Sequence, residues 1–332
     1  MSDAELPVGR TFTKADIEAG FGWRGERPQA WANCRYLVPR GWVGGAEVGQ
    51  VQLQPGDIVE IGRFDRADNV AQLTVRVMHL QREISAELLL RHQLLTMDCE
   101  PISLKTLSAL FADSLSTLQA PRGATHLRLA VRLHGNLAFL LSAHCASAAY
   151  AGLAETLGTF IASFGPAAPP PQATIEQRQR ADVGGMLSFR YPASWRSREV
   201  PPIPGKHATD LLAVTNGVPT GMIRVKACAK SLPTRAELQI EDALREWAEA
   251  GIATGPLKVN RQVETSARFA SGMLQVFECK TLTGAPQELW LVVVQDDAQY
   301  VTLSLLTPDR RQEFLAWAWN RTAFDIVTES LA

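Results

Sequence analysis

Chemistry in a protein needs particular side chains at particular spacings, and this chain offers six histidines, five cysteines and 34 acidic residues from which to build a site. A tetrahedral zinc site wants imidazoles and thiolates grouped compactly, as in Cys-x2-Cys beside His-x3-His. His79, His92, His126, His134, His144 and His207 show no such grouping. Cys34, Cys99, Cys145, Cys228 and Cys279 are scattered, with no Cys-x-x-Cys among them. His144 and Cys145 are adjacent, but neighbours on a strand point to opposite faces. Nucleophilic catalysis needs a serine or cysteine with a base and an orienting carboxylate. The small-residue stretch CASAAYAG (145–152) has no Gly-x-Ser-x-Gly elbow. The glycine-rich pieces GWVGGAEVG (41–49) and VGGM (183–186) lack both the dinucleotide-binding order and a P-loop Gly-Lys-Ser/Thr. Asp296-Asp297 and the pair Asp65, Asp68 suit ordinary turns. No catalytic residue, metal or cofactor is expected.

One stretch invites a different chemistry. LWLVVVQ (289–295) is apolar on both faces, with Trp290, Val292 and Val294 on one side and Leu289, Leu291 and Val293 on the other. Such a strand is either central and covered by helices twice over, or it leaves one face to an apolar groove that takes a protein partner. Trp290, Val292 and Val294 are the candidate protein-binding residues.

Bulk properties narrow the partners. At 332 residues the chain exceeds most single cores, so two domains are expected. A net charge of −1 argues against nucleic acid, which selects an excess of Lys and Arg. No apolar run approaches the ~18 residues of a bilayer span, and MSDAELPVGR lacks the charged and apolar regions of a signal peptide. Scattered, unpaired cysteines fit a reducing compartment, so the expected location is the cytoplasm.

The elements that would position any site come in two sets. GPAAPPPQATIEQRQRA (165–181) is proline-rich and then polar, and 166–182 is expected to be a linker between domains at 25–165 and 183–332. CRYLVPRGW (34–42) and LSFRYPASW (187–195) share Pro-x-x-Trp, with Pro39 and Pro192 separated by 192 − 39 = 153 positions. Each proline should end a strand and each tryptophan fill a core edge. DIVEIGRF (57–64) and DLLAVTNG (210–217) follow at the same spacing, then AQLTVRVMHL (71–80) and GMIRVKACAK (221–230). Helices open at Ala86-Glu87-Leu88 and Ala236-Glu237-Leu238, where Ser85 and Thr234 can cap and Ile84 can staple to Leu89. LRLAVRLHGNLAFLLSA (127–143) matches LWLVVVQDDAQYVTLSL (289–305) at a spacing of 289 − 127 = 162. In the first of these Arg128 and Arg132 alternate with Leu127, Leu129, Val131 and Leu133, the pattern of a half-buried strand with a solvated arginine face. The last helix is expected to start at Thr307-Pro308-Asp309. Each half is therefore α+β, an antiparallel sheet packed with helices, and the two are expected to pair about a pseudo-twofold axis.

A strand ending in Phe189-x-Tyr191-Pro192-x-x-Trp195, then strands, a helix, more strands and a closing helix with Phe324, Ile326, Ser330 and Leu331, resembles the PsbP/DcrB-like fold. Pro39, Trp42, Phe160, Ile161, Ser163 and Phe164 are looser counterparts in the first half. The resemblance implies a binding or assembly protein rather than an enzyme. One branch of that fold, the effector-associated (Eag) chaperones of bacterial type VI secretion, shields apolar segments of secreted effectors as dimers or fused pairs. A pseudo-dimer within one chain is similar to that arrangement, which implies an effector segment as partner and no membrane insertion. Two other functions fit the same residues: a hydrolase or small-ligand enzyme with its site between the halves, and a structural scaffold.

Overall fold

The computed structural model describes residues 13–45, 52–120, 123–215, 217–230, 236–263, 268–269 and 272–332. It divides into two compact units, Met1–Ile175 and Glu176–Ala332.

In the first unit the elements are α1 (Lys14–Gly20), β1 (Phe21–Arg24), β2 (Cys34–Pro39), β3 (Val43–Gly44), β4 (Ile58–Asp65), β5 (Ala71–His79), α2 (Ala86–Thr96), β6 (Pro101–Ser108), β7 (Phe111–Ala120), β8 (Gly123–His134), β9 (Leu137–Ala146), α3 (Tyr150–Ser163) and β10 (Gly165–Pro166). The second holds β11 (Arg178–Val183), β12 (Leu187–Pro192), β13 (Trp195–Ile203), β14 (Lys206–Thr215), β15 (Val218–Ala229), α4 (Ala236–Glu249), β16 (Ala253–Val263), β17 (Gly272–Lys280), β18 (Pro286–Gln295), β19 (Gln299–Pro308) and α5 (Phe314–Glu329).

Each unit is built on one seven-stranded antiparallel sheet. The orders are β3-β4-β5-β9-β8-β7-β6 and β13-β14-β15-β19-β18-β17-β16. Strand for strand these are the same order, with a helix inserted after the third strand and another after the last. A small second sheet, β1-β2-β10 in one unit and β11-β12 in the other, completes each. The written duplication is thus a duplication of topology.

Local chemistry explains the boundaries. Ser85 caps α2, its hydroxyl accepting the Leu88 N–H at 3.3 Å. The cap expected at Thr234 lies outside the described residues. Asp296 makes the β18–β19 turn by accepting the N–H groups of Ala298 and Gln299, both at 2.9 Å. Pro39 and Pro192 end β2 and β12, and Trp195 is buried at the start of β13.

The sequence expectations need correction in four places. Thr307 and Pro308 belong to β19; Asp309 instead holds the turn that follows, accepting the Arg311 N–H at 2.8 Å, and α5 starts at Phe314. The arginine face of β8 is not solvated. Arg128 is buried and donates to both oxygens of Asp113, its shortest contact 2.6 Å, while Arg132 donates to the Phe164 carbonyl at 2.6 Å. The stretch 166–182 is not a free spacer. Ala167 donates to the Asn33 carbonyl and Gln172 exchanges two hydrogen bonds with Asn136, whereas Arg178–Val183 is strand β11 of the second unit. Finally, the strands β6, β7, β16 and β17 fall where none was expected.

Helices cover both faces of β18, and this decides the fate of the expected groove. Leu289, Leu291 and Val293 pack with Ile240, Ala243 and Trp247 of α4. Val292 and Val294 pack with Ala323, Phe324 and Val327 of α5.

Candidate functional site

Trp290, Val292 and Val294 do not form an open face. Val292 is 2% exposed and Val294 1%. Trp290 is half-buried and fixed at three points. Its indole N–H donates to Glu288 Oε2 at 3.0 Å, its ring lies 6.2 Å from that of Trp317, and the Arg321 guanidinium sits over it at 4.4 Å. Glu288 Oε2 also accepts the Trp317 indole N–H at 2.8 Å, so one buried carboxylate oxygen serves two tryptophans.

The accessible feature lies beside this cluster. Between α5 and the edge strand β16 runs a cleft of about 430 Å³. Its floor is Leu274 of β17, Val292 of β18 and Phe324 of α5. Its rim is charged: Arg261 from β16, with Arg321, Asp325 and Glu329 from α5. Helical spacing puts the last three on one stripe, at i, i+4 and i+8. Of the three residues singled out from sequence, Val292 is at the floor, Trp290 is behind Arg321, and Val294 is elsewhere in the core.

The electrostatics of the rim are unusual for a surface. Arg321 and Asp325 form an ion pair, and Arg321 also lies 5.8 Å from the Phe324 ring. Burial presses the Arg321 guanidinium below its ordinary value against the pull of Asp325. Burial also pushes the Asp325 carboxyl up to about 6, with Glu329 adding to the rise and Arg321 and Arg261 opposing it. The Asp325 side chain keeps 42% of its surface, so water screening works against the full rise. The sequence signal was present as Arg-x3-Asp-x3-Glu, which holds every charged residue of α5.

A second cavity, about 490 Å³, lies in the first unit and is lined by Trp23, Arg24, Gly25, Glu26, Arg27 and Phe64 among others. Trp23 is itself covered by the Arg35 guanidinium at 4.7 Å.

The groups considered for chemistry are placed as follows. All five cysteines are free and buried. Burial raises the thiol of each, Cys34 to about 12 and Cys279 to about 11, which keeps them protonated and poorly nucleophilic. Ser147 Oγ lies 2.8 Å from His126 Nδ1, a contact the sequence did not suggest, and His126 stacks on Tyr150 at 4.4 Å. The buried carboxylate on that face, Asp113, is held by Arg128 and does not orient the imidazole. Among the described residues, no three His, Cys, Asp or Glu side chains are grouped as a metal site, and no helix is long and apolar enough to cross a membrane.

No family profile and no curated protein matches the chain. Solved structures do. Cyanobacterial PsbP (CyanoP) from Synechocystis sp. PCC 6803 is similar at 13% identity, over 45% of this chain and 93% of that one, with a TM-score of 0.35. The immunity protein TplEi of the type VI secretion system of Pseudomonas aeruginosa, in complex with a peptide called "L", is similar at 9% identity over 88% and 99%, with a TM-score of 0.25. A protein from Bacteroides thetaiotaomicron VPI-5482 matches at 14% identity over 47% and 48%, with a TM-score of 0.27. A PsbP protein is thus among the structures that this chain is similar to. Scores of this size add nothing about function.

Proposed function

We propose that this chain is a non-enzymatic binding protein whose partner is another polypeptide, and that the cleft between α5 and β16 takes one or two apolar side chains of that partner. The observation that carries this reading is the make-up of the cleft. A floor of Leu274, Val292 and Phe324 inside a rim of Arg261, Arg321, Asp325 and Glu329 has the apolar centre and polar surround of a protein–protein contact. Its volume of about 430 Å³ suits side chains rather than a whole helix.

The specific form of the proposal is the one that the family resemblance implies. The chain acts in the cytoplasm as a two-unit chaperone or adaptor that holds an apolar segment of a type VI secretion effector. Covering ~400 Å² of such a segment would gain on the order of 10 kcal/mol before the costs of association.

The test is co-expression with any secretion effector that a neighbouring gene encodes, followed by affinity capture and titration. Glu329→Trp and Arg261→Trp block the mouth of the cleft from exposed positions without touching its floor. The expected result is a complex that each variant weakens at least tenfold while thermal unfolding is unchanged. Failure to bind any co-encoded effector segment removes the chaperone, and a complex indifferent to both variants removes the cleft.

A further inference from the structure

The cavity of about 490 Å³ in the first unit collects positive charge that the fold does not use. Trp23 and Arg24 of β1 line it with Gly25 and Arg27 just beyond, and Gly44 of β3 and Phe64 of β4 complete the wall. Arg27 is half-buried; its Nη2 donates to the Ile61 carbonyl at 3.1 Å, and its Nε has no hydrogen-bond partner. Arg24 is exposed and gives Nη1 to the Trp23 carbonyl at 2.9 Å. Among the described residues neither guanidinium has an acidic partner. Glu26, the acid in the wall, lies 3.8 Å from Arg35 instead.

The two charges converge on one buried group. Arg27 and Arg24 both pull the Tyr36 phenol down, against the burial that raises it. Tyr36 is fully buried, and its hydroxyl has no hydrogen-bond partner among the described residues. It stands directly behind the cavity wall. A Cβ at Gly25 would fall 2.6 Å from Tyr36 Cε1, and the ring packs edge-on to Phe64 at 6.2 Å. Gly25 and Gly44 hold φ of 100° and 140°, and a Cβ at Gly44 would fall 2.3 Å from the Arg63 carbonyl oxygen. That part of the wall therefore stays bare main chain.

We propose that this cavity binds a small organic acid, its carboxylate on Arg27 and Arg24 and its apolar body against Trp23 and Phe64. A guanidinium meets a carboxylate with a planar fork of donors, and the bonds strengthen where water is partly excluded. Trp23 is 49% exposed, so an apolar body would cover indole surface that now meets water. Glu26 repels a second negative charge, which makes a phosphate dianion the poorer fit. The volume falls in the range of small-molecule sites. The site lies wholly within the first unit and stands or falls independently of what the cleft in the second unit binds.

The probes are N-acetylphenylalanine and hexanoate, an aromatic and an aliphatic acid, titrated calorimetrically into the full-length chain at low salt. At least one should bind in the millimolar range or tighter, and its uncharged carboxamide about tenfold more weakly. Arg24→Gln and Arg27→Gln should each weaken the acid about tenfold, and Arg27→Lys should recover only part, since it keeps the charge and loses the fork. Arg24 is exposed, so Arg24→Gln carries the test should Arg27→Gln lower thermal stability. Glu26→Gln should tighten binding. Failure of both acids to bind below about 10 mM overturns the proposal. So does an acid that binds no better than its carboxamide, or one indifferent to both arginine variants. Inorganic phosphate binding as tightly as the better acid overturns the carboxylate assignment.

Discussion

The hydroxyl of Ser330 accepts the backbone N–H of Arg190 at 2.8 Å, across 140 residues of chain. Ser163 does the same for Leu37 at 2.9 Å, across 126 residues. Each serine also donates to the carbonyl three residues back, Val327 or Phe160. Each is followed by a buried apolar residue, Leu331 or Phe164. The end of the closing helix is thus hooked to the middle of β12 or β2 by the same pair of bonds, a detail that repeated topology alone does not require.

Alanine at either serine leaves a strand N–H without its acceptor. Ser163→Ala is expected to cost about 1 to 2 kcal/mol and Ser330→Ala less, because water can reach Arg190 but not Leu37. Urea unfolding checks this, provided that the two units are fitted as separate transitions.

Glu288 ties β18 to α5 through the two indoles it accepts. Glu288→Leu strands both N–H groups in an apolar setting, at a cost on the order of 3 kcal/mol. Glu288→Gln keeps one carbonyl oxygen and should cost clearly less. Tryptophan emission and urea midpoints, read together, separate the two outcomes.

The buried pair of Asp113 and Arg128 has its own control in the second unit. Asp113 stands opposite Ala130, as Leu274 stands opposite Val292, and the matched strands align Arg128 with Trp290. The second unit therefore fills the same two positions with apolar residues. Asp113→Ala alone should destabilise by about 3 to 5 kcal/mol, because it strands a buried guanidinium. The double variant Asp113→Leu/Arg128→Met should recover most of that loss, and a double-mutant cycle in urea measures the coupling.

The elements with a strong local pattern, alternating or apolar on both faces, were legible in the sequence. β8, β18, the Ser85 cap and the Asp296 turn all follow from local pattern. β16 was not legible, because an edge strand with nine exposed residues of eleven has no apolar period to show, and Gly255-Pro256 reads as a turn. Pro308 misled for a related reason: proline suits the first turn of a helix and the end of a strand equally well, and only the sheet decides between them. The apolar faces of β18 were visible, but how many helices cover them is a tertiary fact. The stripe of Arg321, Asp325 and Glu329 was equally visible, yet nothing local says whether it meets water or a cleft.

Asn136 holds the proline-rich strap to the first unit. It is 1% exposed, accepts the Gln172 N–H through its side chain at 3.1 Å, and lies 2.7 Å from His79 Nε2. The main chain at 135–136 leaves no spare room, because a Cβ at Gly135 would fall 2.0 Å from the Gln172 carbonyl oxygen. Asn136→Ala should release residues near 170 to protease at rates well above wild type, while β8 and β9 stay protected in hydrogen exchange. Unchanged cleavage would mean that backbone contacts suffice to hold the strap.

Asp325 gives the cleft a pH dependence whose sign can be worked out. Its carboxyl is raised from the ordinary 3.8 to about 6 by burial, with Glu329 reinforcing and Arg321 and Arg261 opposing. An acid whose folded value exceeds its unfolded value holds its proton more tightly in the folded chain. Its contribution to stability is therefore greatest when it is protonated in both states, and it declines as pH rises through the interval between the two values. Asp325→Asn stays neutral throughout and lacks this decline. The wild type should accordingly lose stability relative to Asp325→Asn between about pH 4 and about pH 6, with no further change toward neutrality. Urea midpoints of the two proteins across that range supply the measurement, and carboxyl carbon shifts of Asp325 report the titration directly. A difference that stays flat would show that Arg321 balances burial at this carboxylate, and one that grows in favour of wild type as pH rises would show that Arg321 outweighs it.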